Sequence, residues 1–205
     1  MDKIKYQETK EEILKQWIDE FGLHSYQYAI KIQKFPKGKR LFSSLCEGVI
    51  CVLEGSLRAL SVAESGKELT LFALGVGEVC VLSSACMIKG MDLDVSLEAV
   101  QTSDVAILPS KIAAQITDNT FHNQISLIIN QRLMQVLKTL NQTAFVPLSE
   151  RVREFLNLPQ QEIRITHEEI ANHFGSTREA ISRILKEMEK NGEISLHRGK
   201  IIRHI

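Results

Sequence analysis

Four side chains near the C-terminal end carry the most specific chemistry in this sequence: Arg178, Glu179, Ser182 and Arg183. Their spacing of i, i+1, i+4 and i+5 puts all four on one side of a helix. An arginine can donate a bidentate pair of hydrogen bonds to guanine, a glutamate accepts from the cytosine amino group, and a serine serves either partner. Together they predict a surface that contacts base edges. The competing reading is a plain i, i+4 pair between Glu179 and Arg183 on a solvated face.

Such a helix reads bases only if its neighbours present it to a groove. Thr166 with Glu169 three residues on, and Ser176 with Glu179 three residues on, predict two capped helix starts ten residues apart. Gly175 between them can take the left-handed conformation that a sharp helix exit needs. Ile170, Ala171 and Phe174 in the first helix, and Ile181, Ile184 and Leu185 in the second, recur at helical spacing, so the pair can bury one small shared face. Ala171 is small where two helices must cross closely. This is a helix-turn-helix pattern, with the second helix expected in the DNA major groove. Ser176 and Thr177, at the mouth of that helix, join the candidate DNA contacts. Asn191-Gly192 ends the helix. Beyond it, ISLHRGKIIRHI reads as two short strands around an Arg198-Gly199-Lys200 turn, a basic wing in which Arg198 and Lys200 suit phosphate.

At 205 residues and 44% hydrophobic, the chain can hold one ordinary core and a smaller one. Net charge is zero, yet from Ser176 onward seven basic residues face four acidic ones, a local excess that suits a DNA-facing end. There is no long apolar run and no signal-type N-terminus, which predicts a soluble cytoplasmic protein without membrane contact. Cys46, Cys51, Cys80 and Cys86 lie in apolar, strand-like contexts without a C-x-x-C, as reduced thiols would.

Residues 9–21 predict an amphipathic helix capped by Thr9 and Glu12, with Ile13, Leu14, Trp17, Ile18 and Phe21 on one stripe. From about Ser25 to Pro109 the pattern changes to short β-rich runs, YQYAIKIQKF, GVICVLEG, LRALSVA, ELTLFAL, DVSLEAVQ and DVAILP, punctuated by turn residues. That rhythm predicts a compact antiparallel barrel or roll whose interior could take a small ligand. After Pro109 the helical period returns. Ile129, Leu133, Val136 and Leu140 recur at spacings of four, three and four, a seam for a partner helix in a homodimer, while Ile125, Ile128 and Leu137 lie to the side and could pack on the roll. Pro147 breaks the helix and marks a hinge. The expected organisation is α+β: residues 1–115 as a sensing β-roll with an N-terminal helix, 116–146 as a dimerisation helix and hinge, and 147–205 as a winged helix-turn-helix.

These segments resemble the CRP/FNR regulators, bacterial transcription factors with a cyclic-nucleotide-binding-like β-roll, a long dimerisation helix and a C-terminal winged helix. The resemblance is carried by P-K-G at 36–38, L-E-G-S-L at 53–57, S-G-K-E-L-T-L at 65–71, G-V-G-E at 75–78 and R-E-A-I-S-R-I-L at 178–185. It implies a palindrome of TGA-containing half-sites on double-stranded DNA, with RNA polymerase as a candidate partner. Arg178, Glu179 and Arg183 match the cAMP-responsive branch, while Glu179, Ser182 and Arg183 match the oxygen-responsive one, so the outer bases of the half-site stay open.

The resemblance also separates this chain from the cAMP-binding members. Their Gly-Glu pair for the ribose and Arg-Ser pair for the cyclic phosphate align with Val81-Leu82 and Leu93-Asp94 here. An aspartate where an anion must bind, and a missing arginine, both oppose phosphate. No arginine between Arg58 and Arg132 replaces it. The expectation is an effector pocket near Val81, Leu82, Leu93, Asp94, Cys80 and Cys86 that takes a small effector other than cAMP. The oxygen-sensing branch holds its iron–sulfur cluster on cysteines near the N-terminus, whereas the first cysteine here is Cys46, so no cluster is expected. No cofactor or metal site is predicted. Haem stays open through His24, His122 and the cysteines, as does a thiol switch at Cys80 and Cys86. A cupin-type metal enzyme needs a histidine cluster that the roll segment lacks, and no P-loop, nucleophile elbow or catalytic Cys–His pairing appears, so an enzyme is not expected. A ligand-binding adaptor that does not touch DNA is the other alternative.

Overall fold

The computed structural model describes residues 2–41, 48–81, 95–157 and 161–204, with side chains from Lys10 onward. They group into two units, one of residues 1–60 and 71–136, the other of 61–70 and 137–205.

The first unit opens with helix α1 (Asp2–Phe21) and a 3-10 turn at His24–Ala29. Eight strands follow: β1 (Lys31–Phe35), β2 (Arg40–Leu41), β3 (Gly48–Glu54), β4 (Leu57–Val62), β5 (Glu68–Leu74), β6 (Val79–Cys80), β7 (Val95–Ala99) and β8 (Ser103–Pro109). They form two four-stranded sheets, ordered β1-β8-β3-β6 and β2-β7-β4-β5. The registered pairs are antiparallel. The short helix α2 (Ser110–Ala113) leads into α3 (Asn119–Phe145).

Strand β3 is apolar at every residue from Val49 to Leu53 because both of its faces are buried. Side chains alternate across a strand. Val49, Cys51 and Leu53 join Ala106 and Leu108 of β8, Trp17 and Phe21 of α1 and Phe121 of α3 in one core. Ile50 and Val52 join Val105 and Ile107 of β8, Leu57 and Ala59 of β4 and Phe72 of β5 in a second core between the sheets. Phe21 packs edge-on against both Trp17 and Phe121, with centroids 6.2 and 6.4 Å apart. The β3–β4 turn needs Gly55: its φ is +83°, and an added Cβ would lie 2.3 Å from Oγ of buried Ser103. That hydroxyl accepts from the Ser56 N–H at 3.1 Å and donates to the Gln101 carbonyl at 2.8 Å, so it cannot move aside freely.

Helix α3 carries two faces. Ile125 and Ile128 pack against the α1 core, and Val136 packs against the core between the sheets. Ile129, Leu133, Leu137 and Leu140 are exposed along another stripe, Leu133 by 52% and Leu140 by 65%. This corrects the expected seam, which placed Val136 on the exposed stripe and Leu137 on the roll. Val136 and Leu137 stand about 100° apart around the helix, and the roll packs on the side that carries Val136.

The second unit is built of α4 (Leu148–Leu156), β9 (Glu162–Ile163), α5 (His167–Phe174), α6 (Arg178–Lys190), β10 (Ile194–His197) and β11 (Lys200–Arg203). Pro147, with φ −54°, is the N-cap of α4 and is separated from the end of α3 by Val146 alone. Val152 and Leu156 of α4, Ile170 and Ala171 of α5, Ile181, Leu185 and Met188 of α6, and Ile194 and Ile201 of the wing share one core. The wing is a three-stranded sheet ordered β10-β11-β9. Residues 61–70 also group here, where Leu69 makes an isolated antiparallel bridge with Phe174. Among the described residues no helix is long and apolar enough to cross a membrane.

Two expected elements differ. Helix α1 starts at Asp2, so Thr9 lies inside the helix instead of capping it. Residues 24–29 form the 3-10 turn instead of the start of a strand, because Tyr26 and Ile30 close i→i+3 bonds to the carbonyls of Leu23 and Gln27. The strands β2, β6 and β9, each two residues long, carry too little pattern to be seen in the sequence.

Candidate nucleic-acid interface

Helix α5 starts as its sequence dictates. The Thr166 hydroxyl accepts from the Glu169 N–H at 3.1 Å, and the Glu169 carboxylate accepts from the Thr166 N–H at 2.8 Å, a closed capping box. The helix ends at Gly175 in the left-handed conformation, φ +64°, and the Ser176 N–H donates to the Ala171 carbonyl at 3.0 Å. Helix α6 is capped differently from the expectation. Thr177, not Ser176, is its N-cap, and its hydroxyl accepts from the Ala180 N–H at 3.2 Å. Ser176 is held in the turn by its backbone bond, which leaves Glu179 outside any capping box and free to face outward.

On α6, Ile181, Leu185 and Met188 point into the core, and Arg178, Glu179, Ser182, Arg183 and Lys186 line one shallow concavity on the opposite side. Arg178, Glu179 and Arg183 are exposed, and Ser182 is half-buried. Among the described residues the side chains of Arg178, Glu179 and Arg183 form no ion pair or hydrogen bond, so the Glu179–Arg183 pair of the competing reading is not made. Ser182 Oγ lies 2.8 Å from Nδ1 of His167, the first residue of α5. Burial, and then the charges of Arg178 and Lys186, hold the His167 imidazole below the usual histidine value.

A second concavity runs between the start of α5, the start of α6 and the wing tip, and Arg178 and Arg198 both line it with His167 and His197. Strands β10 and β11 pair in register, His197 opposite Lys200 and Leu196 opposite Ile201, around a two-residue turn in which Gly199 has φ +74°. Arg198 is exposed at the tip. Lys200 instead donates to Glu162 of β9 at 3.1 Å, and Glu162 also accepts from Arg164.

The residues expected to line an effector pocket are placed only in part. Val81 is 1% exposed inside the α1 core, and Cys80 is buried between the sheets. Leu82, Cys86, Leu93 and Asp94 lie outside the described residues. Cys51 is a buried free thiol whose pKa burial pushes up to about 12. A residue the sequence reasoning did not single out is Arg132 on α3, 3% exposed. Its guanidinium donates to Glu78 Oε1 at 3.2 Å, to Gln135 Oε1 at 2.8 Å and to the Val79 carbonyl at 2.9 Å, and it lies 5.2 Å from the Phe72 ring centroid.

The Crp-like helix-turn-helix domain matches residues 131–204. A solved structure from Eubacterium rectale, assigned to the crp/fnr family of transcriptional regulators, is 30% identical, covers 91% of this chain and 92% of its own, and superposes with a TM-score of 0.82. The chain belongs to the CRP/FNR family. It is therefore a DNA-binding regulator of transcription and not an enzyme. Among curated CRP/FNR relatives, the cAMP-activated global transcriptional regulator CRP of Escherichia coli O6:H1 is 26% identical over 87% of this chain and 88% of its own. The global nitrogen regulator of Synechococcus elongatus is 24% identical over the same shares.

For this CRP/FNR regulator, three residues of the interface region were missed from sequence. Lys186 could have been found, because it lies four residues beyond Ser182 on the same helical face. His167 and His197 could not, since they reach that region from other elements. The two candidate caps of α6 have different expected costs. Thr177→Ala should lower stability by about 1 kcal/mol, the usual value of an N-cap, while Ser176→Ala should be near neutral; urea denaturation of both variants checks the assignment.

Proposed function

We propose that this CRP/FNR regulator is a cytoplasmic homodimer that reads palindromic double-stranded DNA with TGA-containing half-sites, gated by a small effector other than cAMP. The supporting observation is the outward face of α6, where Arg178, Glu179 and Arg183 stand exposed with no hydrogen bond or ion pair among the described residues. Donors and acceptors left unengaged on a rigid helix can meet base edges without first breaking an internal bond. Arg178 and Arg198, sharing the concavity beside the wing, suit the phosphate flanking such a site. Lys200 contributes less, because it must exchange Glu162 for phosphate.

Two recognition helices reach two half-sites only if the chains pair. The exposed stripe Ile129, Leu133, Leu137 and Leu140 on α3 is the surface for that pairing. On the neighbouring face of α3, Arg132 binds Glu78 and the Val79 carbonyl, next to the Gly75-Val76-Gly77 turn. A change in the roll at that turn reaches α3 through this cation, and from there the hinge at Val146-Pro147. Only an effector that binds the two arrangements unequally can drive the change. RNA polymerase is the expected partner at promoters.

The exclusion of cAMP rests on the residues at its family positions. Val81 stands where cAMP-binding relatives have glycine, and its side chain fills the core. The two arginines flanking the segment are already engaged, Arg58 with Glu98 and Arg132 with Glu78. Neither is free to neutralise a cyclic phosphate. A redox switch at Cys80 is disfavoured by its complete burial.

Arg183→Ala should reduce discrimination between a TGA palindrome and a random duplex by the equivalent of about 1–3 kcal/mol per lost contact. Gel shift at fixed salt measures it, and unchanged discrimination would mean that α6 does not read bases. Leu133→Asp should convert the dimer to monomer in sedimentation; a dimer that survives the charge would place the interface elsewhere. A thermal-shift titration with cAMP should leave the melting temperature unmoved, and strong stabilisation would contradict the effector reading.

A further inference from the structure

Ser182 differs from its neighbours on the recognition face. Arg178, Glu179 and Arg183 are exposed and unengaged, whereas Ser182 is half-buried and holds a hydrogen bond to another element, with Oγ 2.8 Å from Nδ1 of His167. It makes no bond to the carbonyl four residues earlier, the usual partner of a helical serine, as Ser126 does with His122. A serine hydroxyl has one proton to give and two lone pairs to offer. Whichever of these His167 consumes is not available to a base.

We infer that His167 is a specificity-setting residue, acting through Ser182 by accepting its hydroxyl proton at Nδ1 and leaving only the serine lone pairs to face the groove. This rests on α6 being the base-reading helix. The imidazole sp2 nitrogen is a better acceptor than a serine oxygen, so the hydroxyl is the donor when the ring is neutral. Burial and the nearby Arg178 and Lys186 keep it neutral at neutral pH. A serine restricted to accepting selects, on the strand it faces, a base that presents an amino group in the major groove, adenine through N6 or cytosine through N4, over guanine or thymine at that strand position, whose major-groove polar atoms are acceptors. His167 is a positioning residue in this scheme: it touches Ser182 and no base.

The test is a panel of palindromic duplexes, each with one half-site position changed to every other base, bound by the full chain in fluorescence anisotropy at constant salt. Ser182→Ala should lose discrimination at one half-site position by about tenfold, as for the loss of one modest base contact. His167→Ala should lose it at the same position and by a similar factor, and the double variant should be no worse than either. His167→Asn, which can place an amide oxygen where Nδ1 stood, should restore the preference. If His167→Ala weakens every duplex by one common factor, or if Ser182→Ala leaves all preferences intact while Arg183→Ala abolishes its own, the inference is wrong and the reading of α6 stands. If neither Ser182→Ala nor Arg183→Ala alters any preference, the reading of α6 fails and the inference with it. Should His167→Ala unfold, the Asn variant and Ser182→Ala still decide between these outcomes.

Discussion

The packing of α5 on α6 governs what the C-terminal unit can do. Ile170 and Ala171 on one helix and Ile181 and Leu185 on the other are buried together, and side chains of the size of isoleucine or leucine stabilise by about 1.5–3 kcal/mol each when removed from water. Because α6 commits Ile181, Leu185 and Met188 to that core, its remaining face must point away. The charged cluster is exposed for the same reason that the apolar residues are buried. Gly175 makes the geometry available, since only a left-handed residue turns the chain so sharply between helices.

A comparable division of faces organises α3. One side is committed to the roll through Ile125, Ile128, Arg132 and Val136, and another carries an apolar stripe in water. Burying a guanidinium as completely as that of Arg132 is costly unless its donors are met, and here a carboxylate, an amide oxygen and a backbone carbonyl meet four of its hydrogen-bonding directions. Nε alone is buried without a partner. Such a contact tolerates few alternative arrangements, which makes it a sharp mechanical link between the turn before β6 and the long helix.

The charges follow a pattern that the zero net value conceals. Lys10 on α1, Arg58 on β4, Arg164 just after β9 and Lys200 on β11 are each held by a carboxylate. Along α6, Arg178 and Arg183 have no such partner among the described residues. A ligand with closely spaced negative charge is drawn to the unpaired cations, since a paired cation must first give up its partner.

Local patterns in the sequence were enough to determine the helix-turn-helix, the capping box at Thr166, the exit at Gly175, the wing hairpin and most strands of the roll, because each depends on a few residues close in the chain. Periodicity also located α3, but Val136 and Leu137 stand about 100° apart around it, and which of the two meets the roll was decided by where the roll packs against the helix. The cap of α6 at Thr177 over Ser176 was decided by where the turn after Gly175 placed the backbone. Tertiary structure alone brought His167 against Ser182 across fifteen residues, and Glu78 against Arg132 across fifty-four. A hydrogen bond between two elements depends on how their cores pack, and no pattern within either element contains that information.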